Sequence, residues 1–124
     1  MILAKHFASH NYVETVLYPG LETHPNHQIA KQQTNGLYGG MLSIITAGSE
    51  ADAINVVRNC KVFYPATSLG GVESLIEHRK TVSGDNFPVN EKLIRISVGI
   101  EDPLDLINDL EQALEKVFNK KGQN

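Results

Sequence analysis

Apolar residues recur at two different spacings along this chain, and the spacing separates its helices from its strands. The clearest helix is the last one, where one face carries Leu106, Ile107, Leu110, Ala113, Leu114, Val117 and Phe118. Asp102 predicts the N-cap of this helix, and Pro103 suits its first position because proline fixes a helical φ angle and lacks an N–H. The final residues, 122–124, are expected to fray.

Shorter segments of the pattern predict three further helices and four strands. The helices cover residues 2–9, Pro25 to about Gln33, and 50–59, with Ser49 as the cap of the third. The strands cover residues 12–18, 41–46, 61–65 and 93–98. Residues 72–78 fit either a strand or one helical turn, and the pattern does not separate the two. Residues 79–92 are polar and contain several turn formers, which indicates a loop.

The short connections between the later strands favour one fold class. A parallel crossover needs roughly a dozen residues or more, so these connections favour antiparallel pairing. We therefore expect an α+β fold, with a mainly antiparallel sheet and helices packed on one face. A length of 124 residues suits a single domain.

Composition narrows the expected partners and compartment. The net charge is -3 and no basic run is present, so we expect no nucleic-acid partner. No apolar run approaches the roughly 20 residues that span a bilayer, so we expect no membrane partner. The start does not resemble a signal peptide. Cys60 is the only cysteine, which excludes an internal disulfide, suits the cytoplasm and indicates a structural thiol.

One charged residue lies within an otherwise apolar strand. Arg95 shares a strand face with Leu93 and Ser97. A buried guanidinium is costly unless it meets an anion, and its planar fork matches both oxygens of a carboxylate. Residues 68–71, Ser-Leu-Gly-Gly, offer backbone N–H groups that a ligand can approach closely. The alternative is that this face is solvent-exposed or an interface, and that the glycines form an ordinary turn.

The remaining polar groups give no complete catalytic apparatus. His24 and His27 are three residues apart, but no cluster supplies a third ligand, so we expect no metal site. The acids near the candidate site are interpreted as surface and capping residues: Glu73, Glu77, Glu101, Asp102 and Asp105.

Six segments follow one another in the order found in a known family: 16–21, 24–27, 39–41, 68–75, 93–102 and 105–114. Together they resemble the C-terminal domain of the Cys/Met-metabolism family of pyridoxal-phosphate (PLP) enzymes. This family contains the trans-sulfuration enzymes of cystathionine and methionine metabolism, which catalyse β or γ elimination or γ replacement. The resemblance covers nearly the whole chain.

The resemblance implies a substrate-binding role for Arg95, which would bind the α-carboxylate of a sulfur amino acid. Ser68 is implied to lie beside that carboxylate, and Leu69 and Gly70 to shape the pocket. Thr67 occupies a position where many γ-acting members carry glutamate. Ser83 is the candidate for the hydroxyl of a family threonine, within a connection that is shorter here and lacks the family's histidine. No catalytic or cofactor-binding residue is implied in this chain.

The resemblance also implies a missing part. The family's Schiff-base lysine and phosphate cradle lie in a larger preceding domain, and none of the eight lysines here falls in a matching motif. We expect residues 1–124 to form the small C-terminal domain of a fold-type I PLP enzyme, without the large domain, without covalently bound PLP and inactive alone. The full-length enzyme would hold PLP and is expected to be a homo-oligomer.

A second hypothesis is a stand-alone, non-catalytic module that binds an amino acid or a partner protein. The apolar residues at positions 2, 3 and 7 would then leave an exposed patch, which predicts self-association.

Overall fold

The computed structural model describes residues 1–119. The elements are α1 (Ile2–Phe7), β1 (Val13–Leu17), α2 (His27–Thr34), β2 (Met41–Thr46), α3 (Glu50–Asn59), β3 (Tyr64–Pro65), β4 (Leu75–His78), α4 (Arg79–Ser83), β5 (Leu93–Ser97) and α5 (Pro103–Phe118). The expected fraying of residues 122–124 lies outside the described residues.

The strands form one sheet in the order β1-β2-β5-β4-β3. Neighbouring strands are antiparallel except for the short β3, which runs parallel to β4. Helices α1, α3 and α5 contribute the residues that cover one face of the sheet. The α+β class and the mainly antiparallel sheet predicted from the sequence are confirmed.

The core lies between this sheet face and the helices. Alternate residues of β2 and β5 point into it, because side chains in a strand alternate between faces. The fully buried members include Phe7, Phe63, Ile44, Ile76, Ile94, Ile96, Leu106, Leu110 and Leu114. Full burial of such a side chain contributes about 1.5–3 kcal/mol relative to exposure. The other residues of β2 and β5 lie on the opposite face and are half-buried.

The N-terminal ends of α3 and α5 are capped by the residues that the sequence predicts, Ser49 and Asp102. The backbone N–H of Asp52 donates to the Ser49 side chain at 3.4 Å, and the Ser49 N–H donates to the Asp52 carboxylate at 2.8 Å. This reciprocal pair is a capping box, which satisfies two donors at the helix start. Asp102 accepts a hydrogen bond from the Leu104 N–H at 2.8 Å, and Pro103 begins the helix.

The predicted strand 61–65 is wrong in its first half. The Asp109 carboxylate on α5 accepts the backbone N–H groups of Lys61, Val62 and Phe63 at 2.7, 2.8 and 3.0 Å. These donors are therefore taken up by a side chain rather than by a neighbouring strand, and β3 begins only at Tyr64. Asp109 lies 46 residues or more along the chain from its partners, which no local pattern reveals.

The predicted loop 79–92 contains a short helix. Of residues 72–78, which fitted either a strand or a helical turn, the last four form a strand. The strand begins at Leu75, and α4 follows it directly. His78 caps α4, because its Nδ1 accepts the Thr81 N–H at 3.3 Å. The helix predicted from Pro25 starts later, at His27, with Asn26 as its N-cap.

The apolar patch predicted at positions 2, 3 and 7 is not formed. Leu3 is 4% exposed and Phe7 is fully buried, since α1 packs against the core. Ile2 alone of the three is exposed. Among the described residues, no helix has the length and apolar character needed to cross a membrane.

Candidate functional site

Arg95 lies in the middle of the central strand β5, on the sheet face away from the core. Register pairs it with Ser43 of β2 and Glu77 of β4. Its Nη1 donates to Glu77 Oε1 at 3.0 Å, and the two side chains are 36% and 4% exposed. The guanidinium is therefore held at one end by a buried acid while the group remains accessible to solvent.

Glu77 also contacts a second arginine. Arg79 Nη1 lies 3.2 Å from the same Oε1 atom, so one carboxylate oxygen serves two guanidinium groups. The other oxygen, Oε2, is buried and has no hydrogen-bond partner. Glu77 was expected to be a surface or capping acid; this is wrong, because it is buried in the sheet between two cations.

This arrangement leaves most of Arg95 available. A guanidinium carries five N–H donors, and the contact with Glu77 uses Nη1 only. A carboxylate that paired with Arg95 through both oxygens would occupy two donors, but Glu77 pairs through one. Glu77 carries one negative charge and its two arginine partners carry two positive charges, so this cluster favours an additional anion.

Residues 68–71 lie in the connection between β3 and β4, and we call them the 68–71 turn. Gly70 has a φ angle of +65°, a conformation that side chains rarely adopt. A Cβ added at Gly70 or Gly71 would meet nothing within 4 Å, and Leu69 is 85% exposed. The backbone of the turn is thus open to a ligand. Within residues 1–119, no hydrogen bond joins Ser68 to Arg95.

Thr67, just before the turn, lies in the wall of a cavity of about 270 Å³. Glu77 and Ile76 of β4 and Ile54 of α3 line the same cavity. Thr67 and Glu77 therefore border one cavity, and the Glu77 carboxylate pairs with Arg95. Ser83 behaves differently: its hydroxyl donates to the Arg79 carbonyl at 2.8 Å, within α4.

Glu101, which follows β5, holds Ser74, the residue just before β4. Its two carboxylate oxygens accept the backbone N–H and the hydroxyl of Ser74, each at 2.7 Å. Desolvation raises the pKa of Glu101, but the hydrogen bonds from Ser74 outweigh it, so the net pKa lies below its ordinary value. Glu101 was expected to be a surface or capping acid, and it does cap a buried backbone N–H.

The two histidines considered as metal ligands make hydrogen bonds within the fold. His27 contacts the Pro19 carbonyl through Nδ1 at 2.7 Å, and His24 accepts the Asn26 N–H at 3.1 Å. In the part of the chain that the structure describes, no group of three or more His, Cys, Asp or Glu side chains could hold a metal ion. Burial, with Asp109 as a smaller contribution, raises the pKa of Cys60 to about 12, so its thiol stays protonated.

Sequence reasoning missed Glu77 and Arg79 as parts of this site. The available signal was an acid that directly follows the apolar pair Leu75 and Ile76, together with a base inside the strand predicted at 93–98. An acid and a base that both interrupt buried strands are candidates for cross-strand pairing.

Comparison with known proteins agrees with the fold. The family described as Cys/Met metabolism PLP-dependent enzyme matches residues 1–115. Cystathionine gamma-synthase of Mycobacterium bovis is 46% identical over 117 residues, which cover 90% of this chain and 30% of that protein. Cystathionine gamma-lyase of Dictyostelium discoideum is 46% identical over 115 residues, covering 86% of this chain and 30% of that protein.

A solved structure gives the same result. The crystal structure of metB from Corynebacterium glutamicum aligns with a TM-score of 0.83 and 42% identity, covering 94% of this chain and 31% of that one. The chain therefore belongs to the Cys/Met metabolism family of PLP-dependent enzymes. It spans about 30% of the length of the curated relatives it matches.

Two cavities of the described chain can be compared with the requirements of a site for PLP, the cofactor of this family. Covalent attachment requires a lysine in a cavity that also cradles a phosphate. The cavity that contains Thr67 and a second one of about 320 Å³ beside β1 have no lysine in their walls. Lys80 and Lys92 are paired with Glu50 and Glu14 at 3.5 and 2.7 Å.

Proposed function

We propose that this chain is the substrate-carboxylate-binding, C-terminal part of a PLP-dependent trans-sulfuration enzyme. In such an enzyme, β or γ elimination or γ replacement on a sulfur amino acid would use PLP held by a larger domain. The 124-residue chain would be inactive alone. The complete enzyme would be a cytoplasmic homo-oligomer.

One observation carries the proposal. Arg95 is a half-exposed guanidinium in the centre of a sheet, held through Nη1 by the buried Glu77. Its remaining N–H groups can donate to both oxygens of a carboxylate in the bidentate geometry that only arginine provides. Holding the carboxylate would fix the orientation of the bonds at the substrate Cα, which is the contribution that a PLP enzyme requires from its protein.

The other predicted site residues would support the binding of the carboxylate by Arg95. The open backbone of the 68–71 turn, with Ser68, Leu69 and Gly70, would form one side of the pocket. Thr67 would contribute a hydroxyl near Glu77. Ser83 donates its hydrogen bond within α4, so a role at the pocket would require that bond to break.

The carboxylate role can be tested by titrating the 124-residue chain with L-methionine while recording the NMR signal of the Arg95 Nε–H. We expect a saturable shift at millimolar concentrations. Arg95→Lys lacks this signal, so its affinity is measured by calorimetry and should be about tenfold weaker than that of the wild type, because lysine keeps the charge but loses the planar fork. Lys31→Arg, an equally conservative change at an exposed residue of α2, is the control and should bind as the wild type does.

The outcomes separate the two hypotheses. An unshifted Arg95 signal at saturating L-methionine contradicts the carboxylate role. Micromolar affinity in the chain alone would instead favour the stand-alone amino-acid-binding module, because a domain that needs its larger partner should bind weakly without it.

A further inference from the structure

We infer that Glu101 is a positioning residue, which fixes the 68–71 turn relative to β5, the strand that carries Arg95. The functional meaning rests on the proposed function, because that proposal places both the turn and Arg95 at one pocket. The positioning itself rests on contacts alone.

The first set of contacts joins the residue before β4 to the segment after β5 at one buried hydroxyl. Ser74 is fully buried, and its hydroxyl donates to Glu101 Oε2 at 2.7 Å while accepting the Gly99 N–H at 2.8 Å. Its backbone N–H donates to Glu101 Oε1 at 2.7 Å. One carboxylate and one hydroxyl therefore satisfy two backbone donors that would otherwise be left without a partner.

The second set of contacts holds the backbones close together. The Ile100 N–H donates to the Val72 carbonyl at 2.9 Å. A Cβ at Gly99 would lie 2.2 Å from the same carbonyl oxygen, so only glycine permits this approach. The segment that leaves β5 is thus held directly against the segment that follows the turn.

Within residues 1–119, hydrogen bonds hold the turn only through the residues on either side of it. No hydrogen bond within residues 1–119 involves residues 67–71, and the turn ends at Ala66 on one side and Val72 on the other. The Ala66 N–H donates to Ile76 at 3.2 Å, which fixes that side to β4. The Val72 side is fixed by Ile100 and, through Ser74, by Glu101. Loss of the Glu101 carboxylate removes one of the contacts on the Val72 side, so it should loosen the turn while leaving β4 paired.

The alternative is that Glu101 only stabilises the fold. Two variants distinguish these roles. Glu101→Gln keeps the size of the side chain but cannot accept both Ser74 donors, because one oxygen becomes an NH₂ group. Ile44→Val removes one buried methyl group from β2, away from the Glu101 contacts, and lowers stability without altering them.

The experiment measures backbone ¹⁵N relaxation of residues 68–71 in the ligand-free chain and then L-methionine affinity. We expect Glu101→Gln to increase turn mobility and weaken binding about fivefold, whereas Ile44→Val leaves both unchanged. Unchanged turn mobility in Glu101→Gln, or an equal increase in Ile44→Val, overturns the inference. Because mobility is measured without ligand, this result stands even if Arg95 binds no carboxylate.

A second measurement needs no substitution and covers the case in which Glu101→Gln does not fold. Acidification of the wild-type chain should mobilise the turn as Glu101 becomes protonated. The neighbouring acids Glu73 and Asp102 are exposed. Glu73→Gln should leave the transition in place, and titration of Asp102 is reported separately by the Leu104 N–H that it caps. A turn that stays ordered after Glu101 is protonated overturns the inference.

Discussion

Glu77 accepts hydrogen bonds from two arginines through one oxygen, and this sharing sets how strongly Arg95 attracts an anion. The acid orients the guanidinium, but its charge also opposes a bound carboxylate. Because Arg79 pairs with the same oxygen, part of that opposing charge is neutralised. Replacing Glu77 by glutamine separates these two effects, because the amide keeps an oxygen that can accept from Arg95 but carries no charge.

Glu77→Gln should therefore bind L-methionine more tightly. The expected gain is about fivefold, or ~1 kcal/mol, which is the scale for one nearby like charge at a partly exposed site. The same NMR titration measures it. Weaker binding in this variant would mean that the charge of Glu77 is needed to hold Arg95 in place, and Glu77→Ala would then be weaker still.

Glu101 makes the stability of the chain depend on pH. Its folded-state pKa lies below the ordinary value of 4.5, because the Ser74 hydrogen bonds outweigh desolvation. A group with a lowered folded-state pKa stabilises the fold above its unfolded-state pKa, and this contribution disappears as pH falls through the folded-state pKa. Urea unfolding should show wild type more stable than Glu101→Gln at pH 7, with the difference shrinking below about pH 4.5. A difference that stays constant down to pH 3 would contradict this assignment.

At the scale of elements, the turn and the strand ends depend on close backbone approach. Gly99 and Gly71 lie on the two sides of this approach, and only Gly99 is crowded: an added Cβ would lie 2.2 Å from the Val72 oxygen. At Gly71 the same atom would meet nothing within 4 Å, and its φ angle is not in the left-handed region. The two glycines therefore make a matched pair.

Gly99→Ala should lower the free energy of unfolding by about 1–3 kcal/mol, because the backbone must move to admit the methyl group. Gly71→Ala should change it by no more than about 0.5 kcal/mol in either direction. Chemical denaturation measures both. Equal changes in the free energy of unfolding at the two sites would show that the backbone around Gly99 moves away from the added methyl group without a loss of stability.

The elements that the sequence predicts well are those specified by neighbouring residues. Ser49 with Asp52 and Asp102 with Pro103 define helix starts through contacts of two or three residues, and both starts are confirmed. The errors arise from distant partners: Asp109 takes the N–H groups of the predicted strand at 61–63.

The candidate site follows the same rule. The position of Arg95 in a strand is visible in the sequence, whereas its pairing with Glu77 depends on the register between β4 and β5. Helix α4 was missed because its cap is a histidine, a residue that rarely signals a helix start.

At the scale of the whole molecule, the sheet has one face covered by α1, α3 and α5 and another face that carries Arg95. Several large apolar side chains are exposed: Leu37, Leu69, Val72, Ile100 and Leu104. The chain also spans about 30% of the length of its relatives. Both facts agree with the proposal that a larger domain contributes the cofactor side of the pocket, while this chain contributes the carboxylate side.

The central claim is that Arg95 binds a substrate carboxylate while Glu77 holds it. The most direct test is a crystal structure of the 124-residue chain with L-methionine. We expect both carboxylate oxygens within hydrogen-bonding distance of Arg95, with Glu77 still on Nη1. The account is contradicted if L-methionine binds at another surface, or if Arg95 keeps Glu77 as its only partner at saturating ligand.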